Sequence, residues 1–112
     1  MPGLHDRTPH LKELGEFLKT RRDSLTPENV GLPTAIGQRR VAGLRREEVA
    51  QLINISGDYY TRIEQGRLAP SAPVLDALVD ALQLDADQSD YARSLVAHAA
   101  APASLAPARA RQ

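Results

Sequence analysis

Cysteine is missing from this sequence of 112 residues, which excludes disulfides, thiolate metal sites and cysteine nucleophiles together. Aromatic residues are scarce, with three tyrosines, one phenylalanine and no tryptophan, so a core has to come from Leu, Val, Ile and Ala. No apolar run approaches the ~18 residues that a transmembrane helix needs. The first ten residues, MPGLHDRTPH, lack the basic-then-apolar order of a secretion signal. We therefore expect one small soluble domain in the cytoplasm, with no membrane contact.

The sequence also lacks an excess of charge of either sign, because 14 Lys and Arg balance 14 Asp and Glu. Residues 1–46 hold nine basic and five acidic residues, residues 47–67 hold two and four, and residues 68–112 hold three and five. Four arginines crowd the end of the basic part: Arg39, Arg40, Arg45 and Arg46. A phosphate backbone responds to such a local patch rather than to the net charge. The alternative is an ordinary solvated charged face.

Helical periodicity accounts for most of the chain. Thr8 is a good N-cap with Pro9 at the first helical position, and the leucines that follow share one face. Residues 23–43 carry several prolines and glycines, which predicts mostly loop. Four more helices are predicted, beginning near Leu44, Ser56, Ser71 and Asp85. With no credible strand, the pattern predicts an all-α fold, a five-helix bundle.

The last predicted helix and the tail set the domain boundaries. Tyr91, Leu95 and His98 share one stripe of that helix. From Ala99 onward the sequence AAPASLAPARARQ has no core-forming pattern. We expect a flexible N-terminus over residues 1–7, a domain over residues 8–98, and an Ala/Pro-rich tail or linker over residues 99–112.

The stretch Leu44–Gly66, LRREEVAQLINISGDYYTRIEQG, has the layout of a helix-turn-helix. Ala50 lies where the two helices must cross, since a larger side chain would wedge them apart. Ile55 fills the turn, and Tyr60 and Ile63 anchor the second helix from beneath. This arrangement predicts a helix held out toward the major groove of DNA.

The outer face of that second helix carries the candidate base-reading residues: Gly57, Asp58, Tyr59, Thr61 and Arg62. Arg62 is the strongest candidate, because its planar guanidinium can pair bidentately with guanine O6 and N7. Asp58 either accepts from a cytosine amine or only stabilises the helix N-terminus. Tyr59 either contacts DNA or packs on the surface, and Gly57 lets the helix end approach the backbone.

The segment LRREEVAQLINISGDYYTRIEQGR resembles the helix-turn-helix of the Xre/Cro/C1 repressor family. More narrowly, QRRVAGLRREEVA followed by DYYTRIEQGR-x-x-PS resembles the N-terminal domain of MmyB-type regulators of actinobacteria. The resemblance covers roughly residues 10 to 98 and implies a lambda-repressor-like DNA-binding fold. It also implies a structural ion pair between Arg22 and Glu64, and a phosphate contact by Arg46 with help from Arg45.

Two further groups are candidates for contact with the DNA backbone. Gln38, Arg39 and Arg40 lie in a loop longer than the simplest relatives need, and they either follow phosphates or form a basic loop with no fixed role. Gln65 and Arg67 lie just past the recognition helix, where phosphate partners are expected. MmyB-type regulators usually continue into a sensor domain that resembles a PAS fold. The resemblance therefore implies that this chain is the DNA-binding portion, for which we expect no small-molecule ligand.

These features predict a sequence-specific transcription regulator of double-stranded DNA, a repressor-like protein of the bacterial nucleoid. Its recognition helix, residues 56–65, is expected in the major groove, with the protein binding as a homodimer on an inverted repeat whose half-sites lie ~34 Å apart. The alternative is an antitoxin-like interaction module of the same fold, although the tail has few large apolar residues with which to hold a partner.

An enzyme is the least supported interpretation. The three histidines, His5, His10 and His98, lack metal-ligand spacing with each other or with nearby carboxylates. No Ser/His/Asp arrangement or glycine-rich phosphate loop is present in the sequence. Three aspartates near residues 85–90 lack the glycine and terminal glutamate of a calcium loop. We expect no catalytic site, no metal and no cofactor.

Overall fold

The structure is a computed structural model, and it describes residues 8–31 and 43–100. These residues form five α-helices and no strand: α1 (Thr8–Ser24), α2 (Arg46–Ile53), α3 (Gly57–Glu64), α4 (Ala72–Ala81) and α5 (Ala86–Ala100). A single 3₁₀ turn, Glu28–Val30, follows α1. The predicted all-α fold with a helix-turn-helix is therefore confirmed. The expectations for residues 1–7 and for the chain beyond Ala100 lie outside the described residues.

Three of the helices begin at side-chain caps that the sequence predicts. The hydroxyls of Ser56 and Ser71 each accept a hydrogen bond from the backbone N–H three residues later, at 3.0 and 3.3 Å. Asp85 and Gln88 cap each other before α5, each side chain accepting from the other's backbone N–H at 2.8 and 2.9 Å. These local bonds satisfy helix N–H groups that have no partner within the helix.

The core lies where α1 packs against both α5 and α3, and where α2 packs against α3 and α4. Every helix contributes apolar side chains to it, so the bundle is one hydrophobic unit. The largest fully buried side chains are Tyr60, Leu14, Leu18, Leu44, Ile63, Leu78, Leu82 and Val49. Only one of these is aromatic, as the composition requires.

The buried stripe of α5 differs from the predicted one. Ala92, Leu95 and Ala99 are buried, whereas Tyr91 and His98 are exposed. The rings of Tyr91 and His98 lie instead at the border of the α1–α5 contact, each against an aromatic ring of α1. Because alanine side chains are small, α5 packs closely on α1. The buried face of α5 therefore includes Ala92 and Ala99, each one position after a residue of the predicted stripe. The helix also continues into the segment predicted as tail, with Ala99 buried.

Candidate nucleic-acid interface

The turn between α2 and α3 brings the two helices together at a small residue. Asn54 ends α2 in the left-handed conformation, with φ of 61°. The backbone N–H of Ile55 then donates to the carbonyl of Ala50 at 3.0 Å, and Ala50 is only 2% exposed. A larger side chain at this position would have no space, as the sequence predicts. α2 begins at Arg46 rather than at Leu44, because the fully buried Leu44 belongs to the segment that enters the helix.

Two side chains anchor the underside of α3. Tyr60 and Ile63 are fully buried, which confirms the predicted inner face of the helix. The Tyr60 hydroxyl makes no hydrogen bond of normal geometry to the described residues. Burial raises the pKa of Tyr60, and the nearby carboxylate of Glu64 raises it further. Tyr60 is therefore a neutral core residue, and α3 cannot rotate about its axis without exposing it.

The opposite face of α3 presents the predicted base-reading residues to solvent. Asp58 and Arg62 are exposed, whereas Gly57, Tyr59 and Thr61 are half-buried. Tyr59 is partly buried and packs against the hydrophobic core, so only part of its ring is accessible to a ligand. Apart from the adjoining backbone of α3, no atom of the described residues lies within 4 Å of the position that a Cβ of Gly57 would take.

Asp58 and Arg62 form an ion pair one helical turn apart, with Oδ2 of Asp58 3.2 Å from Nη2 of Arg62. The two side chains keep 75% and 50% of their exposure, so the pair adds little to stability. The contact places the Arg62 guanidinium beside Asp58 on the solvent face of α3.

Arg22 and Glu64 form the ion pair that the family resemblance implies. Nε and Nη2 of Arg22 donate to the two carboxylate oxygens of Glu64 at 2.6 and 3.0 Å. The third guanidinium nitrogen, Nη1, donates to the carbonyl of Leu44 at 2.8 Å. One side chain of α1 thus holds both the end of α3 and the entry to α2, so the contact is structural.

Burial alone would raise the pKa of Glu64, because a carboxylate loses hydration there. Burial is the largest single effect, but the hydrogen bonds and positive charge of Arg22, together with the nearby Tyr60 hydroxyl and Arg46, outweigh it, and the pKa of Glu64 lies below its ordinary value. Burial would likewise lower the pKa of Arg22, yet its bonds to Glu64 raise that pKa. Both groups stay charged around neutral pH.

Arg46 also reaches Glu64, with its Nε 3.1 Å from Oε1 of the carboxylate. Its side chain remains 45% exposed at the surface. Arg45 precedes α2 as its N-cap, and its backbone N–H donates to the Glu48 carboxylate at 2.7 Å. A guanidinium has no acceptor atom, so Glu48 supplies the side-chain cap.

The remaining predicted contacts with the DNA backbone are two residues just past α3 and three residues before α2 in the sequence. Gln65 and Arg67 are exposed, with Nη1 of Arg67 3.4 Å from Oε1 of Gln65. Gln38, Arg39 and Arg40 lie outside the described residues.

The sequence reasoning missed a groove beside these residues. Side chains from α1, from the start of α2 and from the end of α3 line it: Lys12, Glu16, Lys19, Arg46, Glu64 and Gln65. The spacing of the three α1 residues places them on one face of a helix. Helical spacing alone does not reveal that this face lies beside the helix-turn-helix.

The described residues contain no group of three or more His, Asp or Glu side chains able to hold a metal ion. None of the helices in the described part of the chain is long and apolar enough to cross a membrane. The sequence matches the family of helix-turn-helix domains over residues 13–92, which includes all of α2, α3 and α4. The chain belongs to the helix-turn-helix domain family. This membership assigns it to a class of DNA-binding domains.

The family match agrees with the geometry of the helix-turn-helix, since α3 has a buried inner face and a polar outer face. No curated protein and no solved structure shows significant similarity to the chain.

Proposed function

We propose that this helix-turn-helix protein is a sequence-specific transcription regulator that inserts α3 into the major groove of double-stranded DNA. One observation carries the proposal. Tyr60 and Ile63, on the inner face of α3, are fully buried. Asp58 and Arg62 extend from its outer face into solvent. A helix fixed in its orientation, with exposed hydrogen-bonding side chains along its outer face, is what reading of base edges requires.

Arg62 is the proposed reader of guanine. Its guanidinium offers two parallel donors for O6 and N7, and such a bidentate contact is worth about 1–3 kcal/mol of discrimination. Asp58, 3.2 Å from Arg62, restricts the orientation of that guanidinium, and its other oxygen is available to a cytosine amine. Tyr59 and Thr61 flank the pair, and Gly57 permits close approach of the helix end.

The proposed contacts with the DNA backbone surround α3. Arg46 is a donor at the start of α2, and its exposed guanidinium can bind a phosphate while Glu64 orients it. Arg45 stands beside it, and Gln65 and Arg67 follow α3. Such contacts position a protein on the duplex without reading its sequence. We assign the same role to Gln38, Arg39 and Arg40, on the basis of the sequence alone.

The proposed assembly on DNA is a homodimer on an inverted repeat, acting as a repressor of the Xre type close to MmyB-like regulators. The support is the resemblance of DYYTRIEQGR and the arginine-rich segment before it. A single α3 of eight residues reads few base pairs, so two copies on two half-sites provide the length of a specific operator.

Selection of bound sites from a random pool of duplex DNA tests this proposal. We expect enrichment of a palindromic motif that contains guanine at a fixed position in each half-site. The Arg93→Ala variant is the matched control, because Arg93 pairs with Asp76 between α5 and α4. It should select the same motif. Absence of enrichment with the intact chain would contradict the proposal and favour an antitoxin-like interaction module.

A further inference from the structure

Both lysines of the chain lie on one face of α1 and line the same groove. Lys12 and Lys19 are the only lysines among the 14 basic residues, and both are exposed. Arg46 at the start of α2 and Gln65 just past α3 also line this groove. A face of α1 is therefore continuous with the surface on which backbone contacts are expected.

The side chains of the two lysines differ from those of the arginines of the same helix in having no polar partner. Neither ammonium group makes an ion pair or hydrogen bond within residues 8–31 and 43–100. Arg21, by contrast, donates to the carbonyl of Leu82 at 2.8 Å, and Arg22 is bound to Glu64. The arginines of α1 hold the fold together, and its lysines leave their charge available to a ligand.

The residues that line the groove carry a net positive charge after their ion pairs are taken into account. Lys12, Lys19 and Arg46 contribute positive charge and Glu16 and Glu64 negative charge. The Glu64 carboxylate is already paired with Arg22 behind the groove. Among the described residues, Glu16 is the only other acid along the lining of the groove, which leaves an excess of positive charge facing solvent.

We propose that Lys12 and Lys19 bind phosphates of the DNA backbone, which extends the DNA-binding surface from α2 and α3 onto α1. This rests on the proposed function. An ammonium on a flexible stem acts as a point charge that suits phosphate rather than a base edge. The position beside Arg46 and Gln65 places these charges next to the other expected backbone contacts. Glu16, between the two lysines, weakens binding by repelling phosphate.

The salt dependence of binding tests the two lysines directly. Removal of one phosphate-binding charge should reduce the slope of log affinity against log salt by about 0.9. The Lys12→Gln/Lys19→Gln double variant should therefore show a slope smaller by about 1.8, with the same selected motif. Glu16→Gln should raise the affinity for every sequence. Arg93→Gln is the control, because it removes one positive charge just as each lysine substitution does. It should leave the slope of log affinity against log salt unchanged.

Lysine acetylation followed by mass spectrometry gives a second readout that requires no variant. The reagent has only two lysine side chains to modify in this chain. Bound DNA from the selection should slow the modification of both. Thermal unfolding of the variants should stay close to that of the wild type, because the lysines make no ion pair among the described residues and glutamine keeps the part of the aliphatic stem with which Lys12 packs against Gly66.

The outcomes separate this inference from the proposed function. If the wild type enriches a motif but the double variant keeps its slope and DNA leaves acetylation of both lysines unchanged, the α1 contact is wrong and the function stands. If the wild type enriches no DNA, the proposed function fails and the α1 contact fails with it.

Discussion

Glu64 connects three parts of the helix-turn-helix through one carboxylate. It lies at the end of α3 with its side chain only 2% exposed, and it accepts from Arg22 of α1 and from Arg46 of α2. Replacing a buried ion pair by apolar residues is often neutral, whereas removing one partner leaves an uncompensated charge. The positions of α1, α2 and α3 therefore depend on this acid being ionised.

The ionisation of Glu64 predicts how stability varies with pH. The folded protein lowers its pKa below 4.5, so its contribution is full above that unfolded value and is lost as pH falls through the folded value. Glu64→Gln should cost about 3 kcal/mol at pH 7, because Arg22 is left buried without its counter-charge. In urea unfolding, the gap between wild type and variant should shrink as pH falls below 4.5. A gap that stays constant down to pH ~3 would contradict this account.

Arg62 should determine which base the protein prefers at one position of each half-site. Arg62→Ala is expected to remove about 1–3 kcal/mol of discrimination at one position of each half-site. Site selection with the variant should return the wild-type motif with that one position relaxed. The protein should fold as before, since the partially exposed pair with Asp58 adds little stability. An unchanged ranking of selected sites would show that Arg62 does not read a base.

The approach of α1 to α3 depends on a glycine in the middle of α1. A Cβ at Gly15 would collide with the backbone carbonyl of Glu64. Backbone atoms held by two helices cannot move aside as the end of a flexible side chain can. The same close contact brings Arg22, two turns further along α1, within reach of Glu64. Close packing of α1 on α3 therefore favours glycine at position 15, although glycine has a low helix propensity.

Gly15→Ala should destabilise the fold although alanine favours helices. We expect a loss of about 1–3 kcal/mol from overpacking, measured as a lower midpoint in urea unfolding. Gly57→Ala is the matched control in α3, where no atom lies within 4 Å of the new Cβ. That variant should keep its stability or gain up to about 1 kcal/mol. Equal effects of the two substitutions would refute the close helix contact.

The charge of the whole molecule is zero, yet its distribution favours DNA binding. Basic residues collect before and at the start of α2, whereas residues 68–112 hold three basic and five acidic residues. The acidic part of the chain after α3 should turn away from DNA and the basic segment at α2 toward it, because the field near the surface depends on local charge. A dimer on an inverted repeat presents two such basic faces to the same side of the duplex.

The proposed dimer predicts a periodic dependence on half-site spacing. Inserting about five base pairs between half-sites turns them to opposite sides of the duplex, whereas about ten restore the original face. Electrophoretic mobility shifts should show that binding falls to the affinity of one half-site in the first case and recovers in part in the second. Equal affinity at every spacing would indicate that the chain binds as independent monomers.

Much of the fold was predictable because its signals are local. Ser56 and Ser71 cap the helices they precede, and the crossing at Ala50 follows from residue size. The stripe on α5 was predicted one residue away from the buried one, because Leu95 fits both stripes and the alanines look neutral in the sequence. Tight packing on α1 selects the face with Ala92 and Ala99, and that choice depends on another helix.

Local signals in the chain were enough for the five helices and the helix-turn-helix, since caps, turns and helical periodicity act over a few neighbouring residues. The sequence also identified the charged residues around α3 as candidates for contact with DNA. The pair of Asp58 and Arg62 is also local, since the two residues lie one turn apart on α3. The use of the other charges depends on the packed helices: Arg46 binds Glu64, and the two lysine side chains remain unpaired within the described residues. Charge pairing requires atoms within about 4 Å, and residues 18 or 42 positions apart meet only after the helices pack.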